Sequence, residues 1–170
     1  MTQRSDIEAL FTVARQIMIA AGCASLITLD ESGLPSSRPV RTFPSDGEFT
    51  RIVVPTDSQS RKTRHAQNNP SVVLSYVDAP SRGYVTVIGK AKLNDRFEDK
   101  KAIWADPFSA FWPDGPESES YLLIEVTPER IELRSYTQGV AENPTRWTPV
   151  TLERTAAGGW RQTGQPAIAT

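Results

Sequence analysis

The chain has 170 residues, with 19 Lys and Arg against 20 Asp and Glu for a net charge of −1. That length allows one domain with a real core, and the balanced charge excludes a global field that would recruit nucleic acid. A single cysteine, Cys23, and a single histidine, His65, exclude a disulfide framework, a Cys-rich metal site and a multi-His metal site.

No run approaches a membrane span and residues 1–20 lack a signal-peptide pattern, so a cytoplasmic location is expected. Ser5-Asp6-Ile7-Glu8 is a capping box, and behind it Ile7, Leu10, Phe11, Ala14, Ile17 and Met18 fall on one helical face. The helix should end near Gly22. Cys23, set among Ala20-Ala21-Gly22 and Ala24-Ser25-Leu26, is expected to be a small buried residue. Ala24 to Asp30 is the first strand, Glu31 to Pro35 a turn, and Ser36 to Phe43 the second strand. Asp46-Gly47 is a hairpin signal into a third strand, Phe49 to Val54, which is expected to stop at Pro55.

Thr56 to Lys62 packs hydroxyls and two cations into one connection, Thr63 to Asn69 reads as a helix, and Pro70 ends it. A strand feeding a Ser/Thr-rich turn and a helix start is a natural anion site, with free N–H groups, a favourable dipole and the charges of Arg61 and Lys62. The alternative is that Arg61, Lys62 and Arg64 form a solvated basic helix face. His65, one turn in, is expected at the solvent or in the seam between helix and barrel, not at a substrate. Ser71 to Val77 and Tyr84 to Leu93 follow as strands. Asp95-Arg96-Phe97-Glu98 is a second capping box, opening a helix to about Trp104 with Phe97 and Trp104 on one side. Pro107 to Pro116 is too apolar to be left in water and should cover something or meet a partner chain.

Tyr121 to Val126 and Arg130 to Ser135 are strands separated by Thr127-Pro128-Glu129. Val150–Arg154 and Trp160–Gln162 suit a terminal hairpin, and the last eight residues are expected to fray. The tryptophans at 104, 112, 147 and 160 are expected in core or interface. Period-two patterning in six strands favours a closed or nearly closed antiparallel barrel in hairpin order: mainly β, α+β, with helices inserted. The expected organisation is one domain over 1–170, with a core at about 5–135 and an extension at 136–170.

Four pieces stand in a recognisable order: Arg38-Pro39-Val40; Thr56 with Ser60-Arg61-Lys62; Asn68-Asn69-Pro70-Ser71-Val72; and Val87-Ile88-Gly89-Lys90-Ala91. The set resembles the flavin-binding split barrels related to pyridoxamine 5'-phosphate oxidase. Within these it resembles the general stress protein 26-type branch, whose aromatic loop is matched by Trp104 and Phe111-Trp112-Pro113-Asp114-Gly115. The resemblance covers residues 5–135 and implies a six-stranded split β-barrel homodimer with FMN in a groove between subunits. It implies phosphate binding by Arg38 and Lys62, helped by Ser60 and Arg61. Pro55 and Thr56 would run under the ring and ribityl chain, Val40 and Arg41 would flank the isoalloxazine, and Tyr84 would offer a polar side chain. Trp104 and Trp112 would approach the ring from the other subunit. The local chemistry agrees, because Arg38 and Val40, two apart on a strand, share a face and a phosphate dianion needs several fixed donors.

The oxidases of the family end in Trp and Arg motifs, including a final Arg-Leu-x-Pro. Here the counterpart regions read Ile131-Glu132-Leu133-Arg134-Ser135 and Gln165 to Thr170, so oxidation of pyridoxamine phosphate is not expected. A Tyr-Trp-Asp that the stress-protein branch carries near 132–135 is also absent. The sequence thus favours an FMN-dependent oxidoreductase of a small substrate, with a nicotinamide reductant bound transiently. The competing function is a stress protein that stores, senses or buffers flavin without turnover. No residue stands out as a general acid or base. Haem or a deazaflavin would keep the barrel and change the ligand, but haem would have only His65 as a histidine ligand.

Overall fold

Nine strands and three helices lie among the residues described by the computed structural model, 3–44, 47–140 and 148–164. Helix α1 (Gln3–Ala21) leads into β1 (Ala24–Leu29), β2 (Pro35–Val40), the short β3 (Phe43–Pro44) and β4 (Ile52–Asp57). Helix α2 (Arg61–Asn68) is followed by β5 (Ser71–Asp78), β6 (Gly83–Asn94), helix α3 (Phe97–Ile103) and two 3-10 turns. The chain ends in β7 (Tyr121–Ser135), β8 (Val150–Arg154) and β9 (Trp160–Gly164). Every strand pair is antiparallel. The sheet runs β2-β1-β5-β6-β7-β4-β3, with β8 on β7 and β9 on β8, and curls into a split barrel.

The expected six strands are β1, β2 and β4 to β7, but their order is not a succession of hairpins. Helix α2 carries the chain away from β4 to β5, which pairs with β1, while β4 pairs with β7. The barrel interior follows the period of two. Leu26, Leu74, Val85, Val87, Ile124, Ile131 and Leu133 are all fully buried. The α1 stripe of Ile7, Leu10, Phe11, Ala14, Ile17 and Met18 closes this core, as its spacing predicts. Val140, Val150 and Leu152 join the same core.

Several boundaries differ from the sequence expectation, each for a physical reason. Strand β4 runs through Pro55 to Asp57 because β3 pairs only opposite Ile52 and Val53. Beyond that point the edge is open, and a missing N–H costs nothing there. Phe49 is not in the strand; it adopts a left-handed φ of 53° and is buried. The second strand breaks at Arg41-Thr42, leaving β3 separate. The expected hairpin signal Asp46-Gly47 begins at a residue outside the described ones, as do Trp147 and residues 165–170.

Strand β7 is one unit of 15 residues, passing through Thr127-Pro128-Glu129. It pairs with β4 before that point and with β8 after it, so Pro128 falls at the changeover. Helix α1 begins at Gln3, ahead of the expected cap. Asp95 does not cap α3: the N-cap is Arg96, without a side-chain cap, and its N–H donates to Asn94 Oδ1 at 2.9 Å just ahead of the helix. Cys23 is exposed, contrary to expectation. Gly22 ends α1 at a φ of 72°, which turns the next residue outward before β1 begins.

Glu125 on β7 is buried and ties that strand to β6 and to the residue just ahead of β4. It accepts from Arg51 at 2.7 Å and Asn94 at 2.7 Å, and pairs with Lys92 at 3.0 Å. No helix among the described residues is long and apolar enough to cross a membrane.

Candidate functional site: a cation corner at the start of helix α2

The β1–β2 register sets Ala24 opposite Val40 and Leu26 opposite Arg38. Partners directly opposite in a ladder share a face, so Arg38 belongs to the same side of the sheet as buried Leu26. Its Nη1 donates to the Leu26 carbonyl at 3.1 Å and to Thr28 Oγ1 at 2.7 Å. Its Nη2 is buried and has no hydrogen-bond partner among the described residues. A buried donor left unmade costs about 1–3 kcal/mol, more when charged, so this atom calls for an acceptor.

Helix α2 brings two further cations to the same corner. Ser60 is its N-cap, its hydroxyl accepting from the Thr63 N–H at 3.3 Å. Arg61 is exposed and Lys62 half-buried. Burial is the main cause pulling the Lys62 ammonium below its usual pKa; Arg38 adds to the effect and Asp57 opposes it. Arg38 is lowered in the same way, by burial and then by Arg61. Arg61 thus acts on Arg38 and Arg38 on Lys62, and a bound dianion would offset this repulsion.

Thr56, Ser60 and Thr63 form a hydroxyl cluster beneath the helix start. Thr56 Oγ1 lies 3.1 Å from Ser60 Oγ and 3.3 Å from Thr63 Oγ1, and Thr63 Oγ1 donates to the Asp57 carbonyl at 2.7 Å. Thr56 is buried with its hydroxyl engaged inside the protein. What this stretch presents outward is the open backbone edge of β4 around half-buried Pro55. Val40 is buried in the core, and Arg41 is exposed with its guanidinium 5.6 Å from the centre of the Phe43 ring.

The other expected residues are elsewhere in the chain. Tyr84 lies on the opposite face of the sheet from its buried neighbour Val85. Burial raises its phenol pKa, Glu132 adds to the rise and Arg134 opposes it. Trp104 and Trp112 belong to a second, outer apolar cluster with Val53, Phe108, Tyr121 and Leu123. There the Trp112 and Tyr121 rings lie 4.6 Å apart, and Trp104 meets Tyr121 at 5.3 Å. The aromatic loop thus covers its own chain, leaving Phe111 75% exposed. Burial lifts the Tyr121 phenol to about 12.

Two residues with a place in the corner were not singled out from sequence for this role. Thr28 is buried and joins Arg38 to the ring of buried His65, whose Nδ1 lies 3.0 Å from Thr28 Oγ1. His65 therefore lies in the seam between α2 and the barrel. The available signal was Thr28 itself, a hydroxyl at an inward position of the alternating run Ala24, Leu26, Thr28.

Two clefts lie away from the corner. One of about 570 Å³ sits between α1, residues 47–50 and the β8–β9 hairpin, lined by Phe11, Arg154 and Trp160 among others. A second of about 490 Å³ runs from Met18 and Ile19 to Arg41 and Pro44. Neither contains Arg38 or Lys62. Among the described residues no group of three or more His, Cys, Asp or Glu could hold a metal.

Comparison with known proteins gives a consistent result. The family model for pyridoxamine 5'-phosphate oxidase matches residues 12–135. General stress protein 26 of Bacillus subtilis (strain 168) is 36% identical over 132 residues, spanning 76% of this chain and 85% of that protein. The crystal structure of General Stress Protein 26 from Bacillus anthracis str. Sterne is similar with a TM-score of 0.64 at 26% identity, covering 73% of this chain and 92% of that one. A pyridoxamine 5'-phosphate oxidase-related, FMN binding protein from Nostoc punctiforme PCC 73102 shares the fold with a TM-score of 0.65 at 16% identity, covering 100% and 98%.

Proposed function

Because the chain belongs to the pyridoxamine 5'-phosphate oxidase family, we propose that Arg38, Ser60, Arg61 and Lys62 hold the phosphate of FMN in a flavoprotein of the general stress type. The observation that carries this is the buried Nη2 of Arg38, without an acceptor among the described residues and beside two further cations. A phosphate monoester supplies what the corner lacks: several acceptor oxygens and up to two negative charges at a helix N-terminus. The open edge of β4 at Pro55 and Thr56 offers backbone groups to the ring and ribityl chain, and the backbone of Val40 and Arg41 flanks the isoalloxazine.

The protein acts as a homodimer. Ile27, Val73 and Ile88 lie in line across the outer face of β1, β5 and β6, and nearby Val77 is 65% exposed. A second copy would cover this strip, bring Tyr84 to the cofactor groove, and set the aromatic segment that carries Trp104 and Trp112 alongside it. Obligate interfaces of this kind bury on the order of 2,000 Å² or more. Sedimentation as a monomer at micromolar concentration would contradict the dimer.

FMN, once bound, supplies the redox chemistry. The chain's part is to grip the phosphate, orient the ring and leave one face open to a small substrate or a nicotinamide donor. A flavin store or sensor without turnover is the second reading. It draws on His65, whose ring is engaged with Thr28 in the seam and so is not offered to a substrate. Titration of the flavin-free protein with FMN and with riboflavin tests the shared claim: FMN should bind at least about tenfold more tightly, the scale of one charge-assisted hydrogen bond. Equal affinity would overturn it. Anaerobic mixing of the FMN-loaded protein with a nicotinamide donor separates the two roles. Bleaching of the flavin band supports the oxidoreductase, and an unchanged band supports the store.

A further inference from the structure

We propose that Thr28 and His65 are positioning residues for Arg38: the Thr28 hydroxyl, oriented by His65, fixes the guanidinium so that its free edge faces the phosphate. The inference rests on the phosphate-site assignment above and adds the residues that set its selectivity.

Three elements meet at one hydroxyl. Arg38 comes from β2, Thr28 from β1 and His65 from α2, and Thr28 and His65 are 1% and 7% exposed. Arg38 Nη1 donates to Thr28 Oγ1 at 2.7 Å and to the Leu26 carbonyl at 3.1 Å. A guanidinium is planar, so two bonds at one nitrogen set the plane and with it the direction of Nη2. An arginine without such anchors would lose rotamer freedom on binding an anion, which weakens the net interaction.

The proton order follows from the donors. Arg38 can only donate, so the Thr28 hydroxyl cannot place its own hydrogen on it. The remaining partner of that hydroxyl is His65 Nδ1, at 3.0 Å. The order that satisfies all three groups is Arg38 N–H to Thr28 Oγ1, then Thr28 O–H to His65 Nδ1, with the hydrogen of a neutral imidazole on Nε2; a hydrogen on Nδ1 would leave the Thr28 hydroxyl hydrogen without an acceptor among the three. His65 holds the hydroxyl with its lone pairs turned to Arg38. A histidine that merely filled space in the seam would impose no such order.

The test uses the full chain and four proteins: wild type, Thr28→Val, His65→Phe and His65→Asn. Dissociation constants for FMN and riboflavin are measured for each, with circular dichroism to confirm folding. Thr28→Val and His65→Phe should lower the preference for FMN over riboflavin by about five- to tenfold while riboflavin binding stays constant. His65→Asn should keep most of the preference, because its Oδ1 can accept in place of Nδ1. Long-range nitrogen–proton NMR of the flavin-free wild type under mildly alkaline conditions should show Nδ1 of His65 without hydrogen. A wild type without FMN preference would mean the phosphate-site assignment has failed. A wild type with that preference, shared undiminished by a folded His65→Phe or Thr28→Val, would overturn the positioning role alone, as would a hydrogen on Nδ1. If Thr28→Val does not fold, His65→Phe and the NMR signal decide.

Discussion

Gly89 and Thr127 approach so closely that a Cβ on Gly89 would lie 2.2 Å from the Thr127 carbonyl oxygen and 2.9 Å from its carbon. The contact falls where the β6–β7 register shifts, between Ile88 and Gly89, and where β7 exchanges β4 for β8. Both intruding atoms are backbone, so no side-chain rotation relieves them. Gly89→Ala should therefore destabilise the protein by about 2 kcal/mol or more, by forcing the bulge to move. Chemical denaturation measures it, and a loss below about 0.5 kcal/mol, the ordinary range for a harmless surface change, would contradict the geometry.

Lys62→Ala should weaken FMN binding by about 1.5–3 kcal/mol, the range for a hydrogen bond to a charged group. Riboflavin, which has no phosphate, should bind the variant as it binds the wild type. Isothermal titration of both ligands provides the comparison. A parallel loss for both would place Lys62 at the ring or in the fold, not at the phosphate.

The pH dependence follows from the depressed Lys62 ammonium, lowered chiefly by burial. A phosphate monoester takes its second negative charge near pH 6, so FMN affinity should rise relative to riboflavin through that region. A lysine with a lowered pKa loses its proton earlier than an ordinary one near 10.4, so the relative affinity should fall again in the alkaline range before that value. Changes in the ring common to both flavins cancel in the ratio. A ratio flat from pH 5 to 10 would contradict the assignment.

Glu125→Gln should cost about 1–3 kcal/mol. Removing one partner from a fully buried pair costs about 3–5 kcal/mol, but here the stranded cations can turn to water. Arg51 and Lys92 have side chains 38% and 69% exposed. Burial alone would raise the Glu125 pKa, yet Asn94, Lys92 and Arg51 outweigh it and the net shift is downward. A carboxyl lowered in the folded state stabilises the protein above its unfolded pKa, and that contribution is lost as pH falls through the lower folded value. The gap between wild type and variant, read from denaturation curves, should therefore be full at neutral pH and shrink below about pH 4.5. A gap that widens in acid would contradict the pairing.

What the sequence shows of this fold is what short-range chemistry determines. The α1 stripe, the start of α2 beside Arg61 and Lys62, and the buried alternation along β5 and β6 are each written in adjacent residues. Pairing between distant strands is not. Nothing local reveals that β4 finds β7, that Pro55 therefore lies on an open edge, or that Pro128 sits where β7 changes partner. Phe49 shows the same limit: it opens a run that reads as strand, yet it takes a left-handed backbone and packs on Phe11, with ring centres 5.1 Å apart. In the corner itself, the cations of α2 are visible from sequence. That Arg38 reaches them with one edge unpartnered depends on the β1–β2 register and on Thr28. Tyr84 shows how parity decides: Val85 and Val87 face the core, so Tyr84 faces away and can serve a flavin only in a groove on the outer side.

A crystal structure of the protein with FMN tests the central claim most directly, because it locates the phosphate. The phosphate should lie within hydrogen-bonding distance of Arg38 Nη2 and Lys62 Nζ at the start of α2, with the ring along the open edge of β4. A flavin seated instead in the cleft among Phe11, Arg154 and Trp160, or one whose phosphate projects into solvent away from Arg38, would contradict it.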